Sequence, residues 1–493
     1  MAEKRIRKSH KNVNNEVETE VENHSEHSPL CALAPVISEK GMFNVIHENV
    51  QIPQKTVDYR PTDKLVFVIL SIISGSETVY DLNHNLRVDR ALLQAFGYES
   101  CADQSVVQET LSAATSENVQ QLEDALGNIW DQNNMTATLL ENALSREHNA
   151  KVATKVTTMD IDLSGQPASR NAEHSTKGYF PGKKNTYGRQ LARVLSPQTQ
   201  EIVTESLYPG NTTSCSAFKA MVTRMEQVLH LDSKEQRQCI RLRLDGGFCT
   251  DENINYALWR SYQLLAKMRS SKRARKLAMS VQEWVDCPSS SDGSLRQAGW
   301  VPTPHRYGRK TRQVAIRTPD PKRKDGYRYS VLIITDMEAD LNATVADYDS
   351  RSGVPESSFC QDNQGLSMRK RRKRSFVAQQ MLTLLSQLAH NLIRWMQNWM
   401  IDAVEQSTPP DDEDTAYENK AYEDKAVVVK FLKERGIKRF VRQILSLSGK
   451  VIMKGERVVG IILNPLYPLI SRIKTAFEAL LKPFRIYVSL DEI

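Results

Sequence analysis

No Cys-x-x-Cys pair occurs in this chain. Its seven cysteines, at 31, 101, 215, 239, 249, 287 and 360, are odd in number and widely scattered. That spacing argues against a zinc module and a disulfide framework and points to a reducing compartment. Long apolar runs are also missing. The longest, Leu65 to Ile73, is too short to span a bilayer. The opening residues, MAEKRIRKSHKNVNN, hold no apolar stretch of the kind a secretory signal needs. A cytoplasmic protein with no membrane segment is expected. No internal repeat is found.

What the chain does have is unevenly placed charge. Its 66 Lys and Arg against 59 Asp and Glu give a formal charge of +7, which alone says little. The cations cluster at 183–194, 267–276, 306–328 and 369–374, and the acids at 16–27 and 411–424. Any single cluster reads best as solvated surface. Four on an otherwise balanced chain suggest a nucleic-acid surface.

At 493 residues, two to four domains are expected. Residues 1–30 are polar and read as a disordered tail. Residues 31–150 read as an N-terminal helical domain. Its helices begin at Pro61, at Gln104 after an Asp103 cap, near Ser116, and at Thr136. The pattern changes at Lys151. Strands are predicted over Val156–Asp162, Gln190–Leu195, Glu201–Tyr208, Cys239–Asp245 and Gln263–Met268, with helices from Ser214 and Asp251 between them. That order is α/β. Residues 270–335 interrupt it with a β-rich insertion, its strands near Gln313–Arg317 and Tyr329–Thr335. Residues 336–404 return to helix, including a strongly apolar one from Phe376 to about Met400. An acidic linker, 405–424, precedes an α+β region, 425–493, with a hairpin at Lys454-Gly455.

Two acids close predicted strands: Asp162 in Asp160-Ile-Asp162-Leu-Ser, and Asp245 in Arg-Leu-Asp-Gly-Gly-Phe. Sites in open α/β sheets form outside the carboxyl ends of strands, and glycines after Asp245 allow a close approach. Glu356 could reach the same edge from a helix. Three carboxylates without His or Cys suit hard cations such as Mg²⁺ or Mn²⁺. Each part has a plainer reading. An Asp at a strand end is more often a turn residue. Asp160 shares a strand face with Asp162, so one is a ligand and the other its support. Glu338 and Asp340 are further candidates in a loop. His390, on an apolar helix, reads as a core histidine. The run Arg369, Lys370, Arg371, Arg372, Lys373 and Arg374 reads as phosphate contacts, or as solvated surface.

Together these residues resemble the DDE transposases of bacterial insertion sequences, in the branch whose third acid lies in a Tyr-x-x-Arg…Glu…Lys signature. Here Tyr348, Arg351 and Glu356 carry it, with DIDLSGQ similar to the first-Asp strand and RLDGGF to the second. The likeness covers roughly 61–400. Two departures are visible. Four residues rather than three separate Arg351 from Glu356, and Asn363 stands where the family has its lysine.

The resemblance implies an RNase H-like mixed sheet flanked by helices, with Asp162, Asp245 and Glu356 as catalytic acids on two Mg²⁺ or Mn²⁺ ions. Asp160 is an added ligand candidate. Tyr348, Arg351, Asn363 and the 369–374 run are expected to contact DNA. The implied partners are double-stranded DNA, as terminal repeats and as target, bound by a homodimer, and no membrane. The 31–150 helices resemble the end-binding part of such enzymes. A non-catalytic DNA binder descended from a transposase, or a nuclease without strand transfer, is the alternative.

Overall fold

The computed structural model describes residues 20–491 apart from 57, 148–155, 179, 181–185, 288–292, 294, 354 and 408–424. Fourteen strands are described: β1 (Glu20–Ser25), β2 (Thr157–Pro167), β3 (Thr176–Lys177), β4 (Tyr187–Ser196), β5 (Glu201–Pro209), β6 (Ile240–Leu244), β7 (Gln263–Lys267), β8 (Val285–Cys287), β9 (Arg296–Trp300), β10 (Arg312–Pro319), β11 (Tyr327–Ile334), β12 (Gly449–Lys454), β13 (Arg457–Leu463) and β14 (Tyr487–Leu490). The fold is mixed α/β, with one ten-stranded and one four-stranded sheet.

The large sheet runs β3-β4-β2-β6-β7-β11-β10-β9-β8, with β5 also paired to β4. Strand β2 is antiparallel to β4 and parallel to β6, and β6 is parallel to β7. The strands of 270–335 are not a separate sheet. Strand β11 pairs antiparallel with β7 and continues the same hydrogen-bonded plane. The sequence pattern shows only two of these four strands. β8 is three residues long and β9 carries Arg, Gln and Gly, so neither gives a clear alternation.

The first core strand also differs from expectation. It does not end at Asp162 but runs to Pro167, because β4 stays paired with it as far as Pro167–Gly188. Its parallel pairing with β6 stops at Ile161–Leu244. Asp162 is therefore the first residue past the parallel ladder, although it is mid-strand.

Residues 20–30 do not belong to the expected disordered tail, 1–30. Glu20–Ser25 pairs with β12, and a helix runs Ser28–Glu39. Strand β1 is polar and almost wholly exposed, so nothing local marks it; its partner lies over 400 residues away. Residues 1–19 and most of the acidic linker lie outside the described residues.

The helix Phe376–Gln406 is the centre of the packing, longer than the expected end near Met400 and buried on nearly every side. A helix apolar all round belongs inside a core. Its few polar groups are used. Asn391 bonds both the N–H and the C=O of Ile202 at 2.9 Å, standing in for a neighbour along the edge of β5. Trp395 donates to Glu201 at 2.7 Å, and Gln397 to the Arg435 carbonyl at 2.9 Å. The helix thus joins the large sheet to the C-terminal region. Among the described residues no helix is long and apolar enough to cross a membrane.

Candidate active site

The register of the large sheet brings the two aspartates together. Ile161 lies beside Leu244 in the parallel pair β2–β6. Asp162 and Asp245 are the next residues along each: Asp162 continues β2, and Asp245 is the first residue past β6. Both carboxylates act on the Arg351 guanidinium. Antiparallel partners of the same face complete a row: Asp162 opposes Arg193 on β4, and Arg193 opposes Glu205 on β5. Three charged side chains thus cross three strands in the order Glu205, Arg193, Asp162, and Asp245 follows at the end of β6.

Arg351 comes down on this row from the helix Leu341–Gly353. Its Nη2 donates to Asp162 Oδ1 at 3.3 Å and to the Ile161 carbonyl at 3.2 Å. Burial alone would lower its pKa, but Asp162, Tyr348, Asp245 and Asp160 outweigh that and raise it. The guanidinium is thus held cationic between carboxylates. Tyr348, one turn earlier, is part-buried, and burial raises its pKa well above the usual tyrosine range. With Asp245, Lys267 and Arg269, these two residues line an open cavity of about 780 Å³. Asp245 Oδ1 accepts from the Gly247 N–H at 2.8 Å, which fixes the carboxylate. A Cβ at Gly247 would lie 3.0 Å from that oxygen and from Ser214 Oγ, so a side chain there would crowd the site.

Asp160, one layer deeper, was a candidate ligand. It is instead fully buried, and both its oxygens accept from Arg243 at 2.7 Å. Arg243 also donates to the Asp347 carbonyl at 2.6 Å and to Ser350 at 2.5 Å, tying the Arg351 helix to the sheet. Asp160 supports the site through this arginine. Glu338 is exposed in a loop, and Asp340 caps the Leu341–Gly353 helix through the Ala343 N–H at 2.8 Å.

Glu356 is the second residue of the helix Pro355–Gly365; its side chain lies outside the described residues. Further along, that helix is tied to β4. Arg193 Nη1 donates to Ser358, and its Nη2 to Asp362 at 2.5 Å. Asp362 also pairs with His390 at 2.7 Å, and His390 reaches the Gln200 carbonyl at 2.9 Å. The residue opposite Asp162 thus clamps the Glu356 helix onto the sheet. Burial opposes ionisation of Asp362, but His390 and Arg193 prevail and lower its pKa to about 2. One arginine does not compensate two buried carboxylates equally. Burial, with Asp362 nearby, pushes Glu205 up to about 7 despite its 2.7 Å bond from Arg193.

Neither Arg193, Arg243 nor Asp362 was picked out from sequence. The available signal was an arginine at an inward position of an apolar strand, as in Ile240-Arg-Leu-Arg-Leu244. Asn363 is half-buried, and its Oδ1 is enclosed without a hydrogen-bond partner.

The cation run does not act as one surface. Arg371 is buried and donates to the carbonyls of Leu366 and Ser76. Lys370 pairs with Glu77. Lys373 is half-buried, and its pKa is lowered by burial. Arg369, Arg372 and Arg374 are exposed. Arg372, Lys373 and Arg374 line a cleft of about 390 Å³ with residues 168–172, just past the end of β2.

Two adjacent carboxylates at the end of a parallel ladder, backed by buried arginines, define an acidic oxygen-donor site on a mixed α/β sheet. The chain belongs to the transposase DDE domain family: the model of its group 1 matches residues 11–409. No curated protein matches the sequence. Among solved structures it is similar to a cryo-EM structure of the piggyBac transposase synaptic complex with hairpin DNA. The identity is 12% and the TM-score 0.42, over 85% of this chain and 84% of that one. That likeness is too distant to bear on the site.

Proposed function

We propose that this protein is an insertion-sequence transposase that cuts DNA at the ends of its element and joins the freed 3′-OH to target DNA. In this reading Asp162, Asp245 and Glu356 hold two Mg²⁺ or Mn²⁺ ions. The observation that supports it is that Asp162 and Asp245 each follow the last pair of the parallel ladder, Ile161–Leu244, with Arg351 charged against both. An RNase H-like core is supported by the strand order β5-β4-β2-β6-β7, with the first acid on the central strand. Domain limits are proposed as in the sequence reading: end-binding helices before residue 150 and catalytic core on both sides of the 270–335 strands.

The residues fit the implied ions. Two carboxylates are hard oxygen donors. The nearby Cys249 thiol is engaged with the Asp245 carbonyl at 3.0 Å, and the two acids already share a cation, the Arg351 guanidinium. Among the described residues no group of three His, Cys, Asp or Glu could hold a metal; the Glu356 side chain, the proposed third donor, is not among them. Bound ions supply Lewis acidity at the scissile phosphate and a nucleophile at neutral pH.

The chain's own groups do the rest. Arg351 screens the repulsion between the aspartates and aims Asp162. The Gly247 N–H aims Asp245. Arg193 holds the Glu356 helix against β4. Lys267 and Arg269 at the cavity wall meet the DNA backbone, as do Arg369, Arg372 and Arg374 beside the first strand's end.

The test is cleavage of a labelled element-end duplex in Mg²⁺, with binding assayed in parallel. Asp162→Asn, Asp245→Asn and Glu356→Gln should each abolish cleavage and retain binding. Wild-type-like cleavage by Asp245→Asn would sink the mechanism. Cleavage without joining by the native chain would make it a nuclease, and binding without cleavage a non-catalytic DNA protein.

A further inference from the structure

The C-terminal region concentrates the positive charge of the molecule. Residues 425–493 hold 14 Lys and Arg against 5 Asp and Glu, a net of +9. The whole chain is only +7, so the preceding 424 residues are net −2. This excess lies beyond residue 409, where the family match ends.

Some of its 14 cations are paired with carboxylates and others are not. Lys433, Lys450 and Lys474 each have a carboxylate partner, Glu405 at 3.2 Å, Asp491 at 3.3 Å and Glu478 at 2.7 Å. Arg435, Lys438, Arg439, Arg442 and Arg472 have no ion pair among the described residues. Arg435 stands in the turn just before the helix Ile437–Phe440, Lys438 and Arg439 lie on that helix, and Arg442 lies in the π-helical turn Val441–Leu445 that continues it. Burial and then the like charges of Arg439 and Arg472 lower the pKa of Arg435, against the opposing charge of Glu434. Arg435 and Arg472 flank a single ring, Phe431, at 3.4 and 5.6 Å. Like charges gathered with few counter-ions cost stability in the free protein. A bound polyanion removes that cost.

The position is specific. The turn at Gly436 is wedged against the helix Pro355–Gly365. Gln361 Oε1 accepts from the Ile437 N–H at 3.0 Å, and a Cβ at Gly365 would meet the Lys438 N at 2.8 Å. Gly365 is nine residues from Glu356, about 14 Å along a helix axis at 1.5 Å per residue. That is about four steps of duplex at 3.4 Å.

We propose that Arg435, Lys438, Arg439, Arg442 and Arg472 form a second DNA-backbone surface, which holds the duplex a few base pairs from the acids. The inference rests on the transposase reading. It assigns to this region sequence-independent phosphate contacts and no base readout.

The test uses the full chain and a labelled duplex, with affinity measured over a range of salt. The triple variant Lys438→Gln/Arg439→Gln/Arg442→Gln should flatten the log–log salt slope by about 2 to 3, near 0.9 per lost phosphate contact. The loss should be equal for element ends and unrelated DNA. Arg472→Gln, exposed on a different helix, should flatten it by about 1 and covers the case in which the triple variant does not fold. Unchanged slopes in folded variants would overturn this surface while leaving the transposase reading intact. A native chain that binds no duplex at all would overturn that reading itself. Cross-linking of the native patch to the chain's own acidic stretch, 411–424, with wild-type DNA binding by both variants, would also overturn it.

Discussion

Two sets of arginines in this molecule look alike in composition and behave oppositely. The 369–374 run is conspicuous in sequence, yet Arg371 is buried, Lys373 is half-buried and the exposed Lys370 is paired with Glu77. Arg193 and Arg243 are single residues in apolar strands, nearly inaccessible, and each organises several carboxylates and hydroxyls. Adjacency in sequence reports where charge is dense. It does not report which charge is desolvated, and desolvation sets the energetic weight.

The sharpest way to break this contrast is Arg193→Met. It leaves Glu205 buried without its cation and Asp362 with His390 alone, a loss of about 3–5 kcal/mol, measured by urea unfolding at neutral pH. A change below 1 kcal/mol would mean that the row is not held by charge.

Acid–base behaviour sharpens the same point. The folded-state pKa of Glu205 is raised from 4.5 to about 7, burial being the largest cause. Across that window the folded chain keeps a proton that the unfolded chain has lost. This contribution is therefore full below pH 4.5 and declines as pH rises to 7, by up to about 3 kcal/mol at 1.36 kcal/mol per unit. Glu205→Gln should flatten the pH dependence of the urea midpoint in that range. An unaltered dependence would place the ionisation elsewhere.

Within the run itself, Arg371→Ala should cost about 1–3 kcal/mol, because buried carbonyls at Ser76 and Leu366 lose their donor. Arg369→Gln/Arg372→Gln/Arg374→Gln should leave stability within about 0.5 kcal/mol. Its effect should appear in DNA binding, as a salt slope flatter by about 2 to 3. Equal melting temperatures for Arg371→Ala and the triple variant would erase the division of the run.

Much of the core was legible because alternation and caps are local. The strands at 190–195, 201–208, 239–245 and 263–268 are found within three residues of their predicted ends. Asp162 and Asp245 stood out because strand-end acids followed by small residues are rare enough to notice. What was not legible depended on distant partners. The length of β2 is set by β4, and β1 exists only against β12. The clamp on the Glu356 helix joins Arg193 to Asp362, 169 residues apart. Asp160 and Asp162 could not be ranked from sequence, since only the position of Arg243 separates them.

The central claim is that Asp162 and Asp245 form one carboxylate pair able to hold a divalent cation. Mn²⁺ binding to the DNA-free chain, followed by electron paramagnetic resonance, tests it most directly. The account predicts saturable binding that is lost in both Asp162→Asn and Asp245→Asn and retained in Glu338→Gln, an exposed loop acid away from the row. Undiminished Mn²⁺ binding in the two aspartate variants would contradict it.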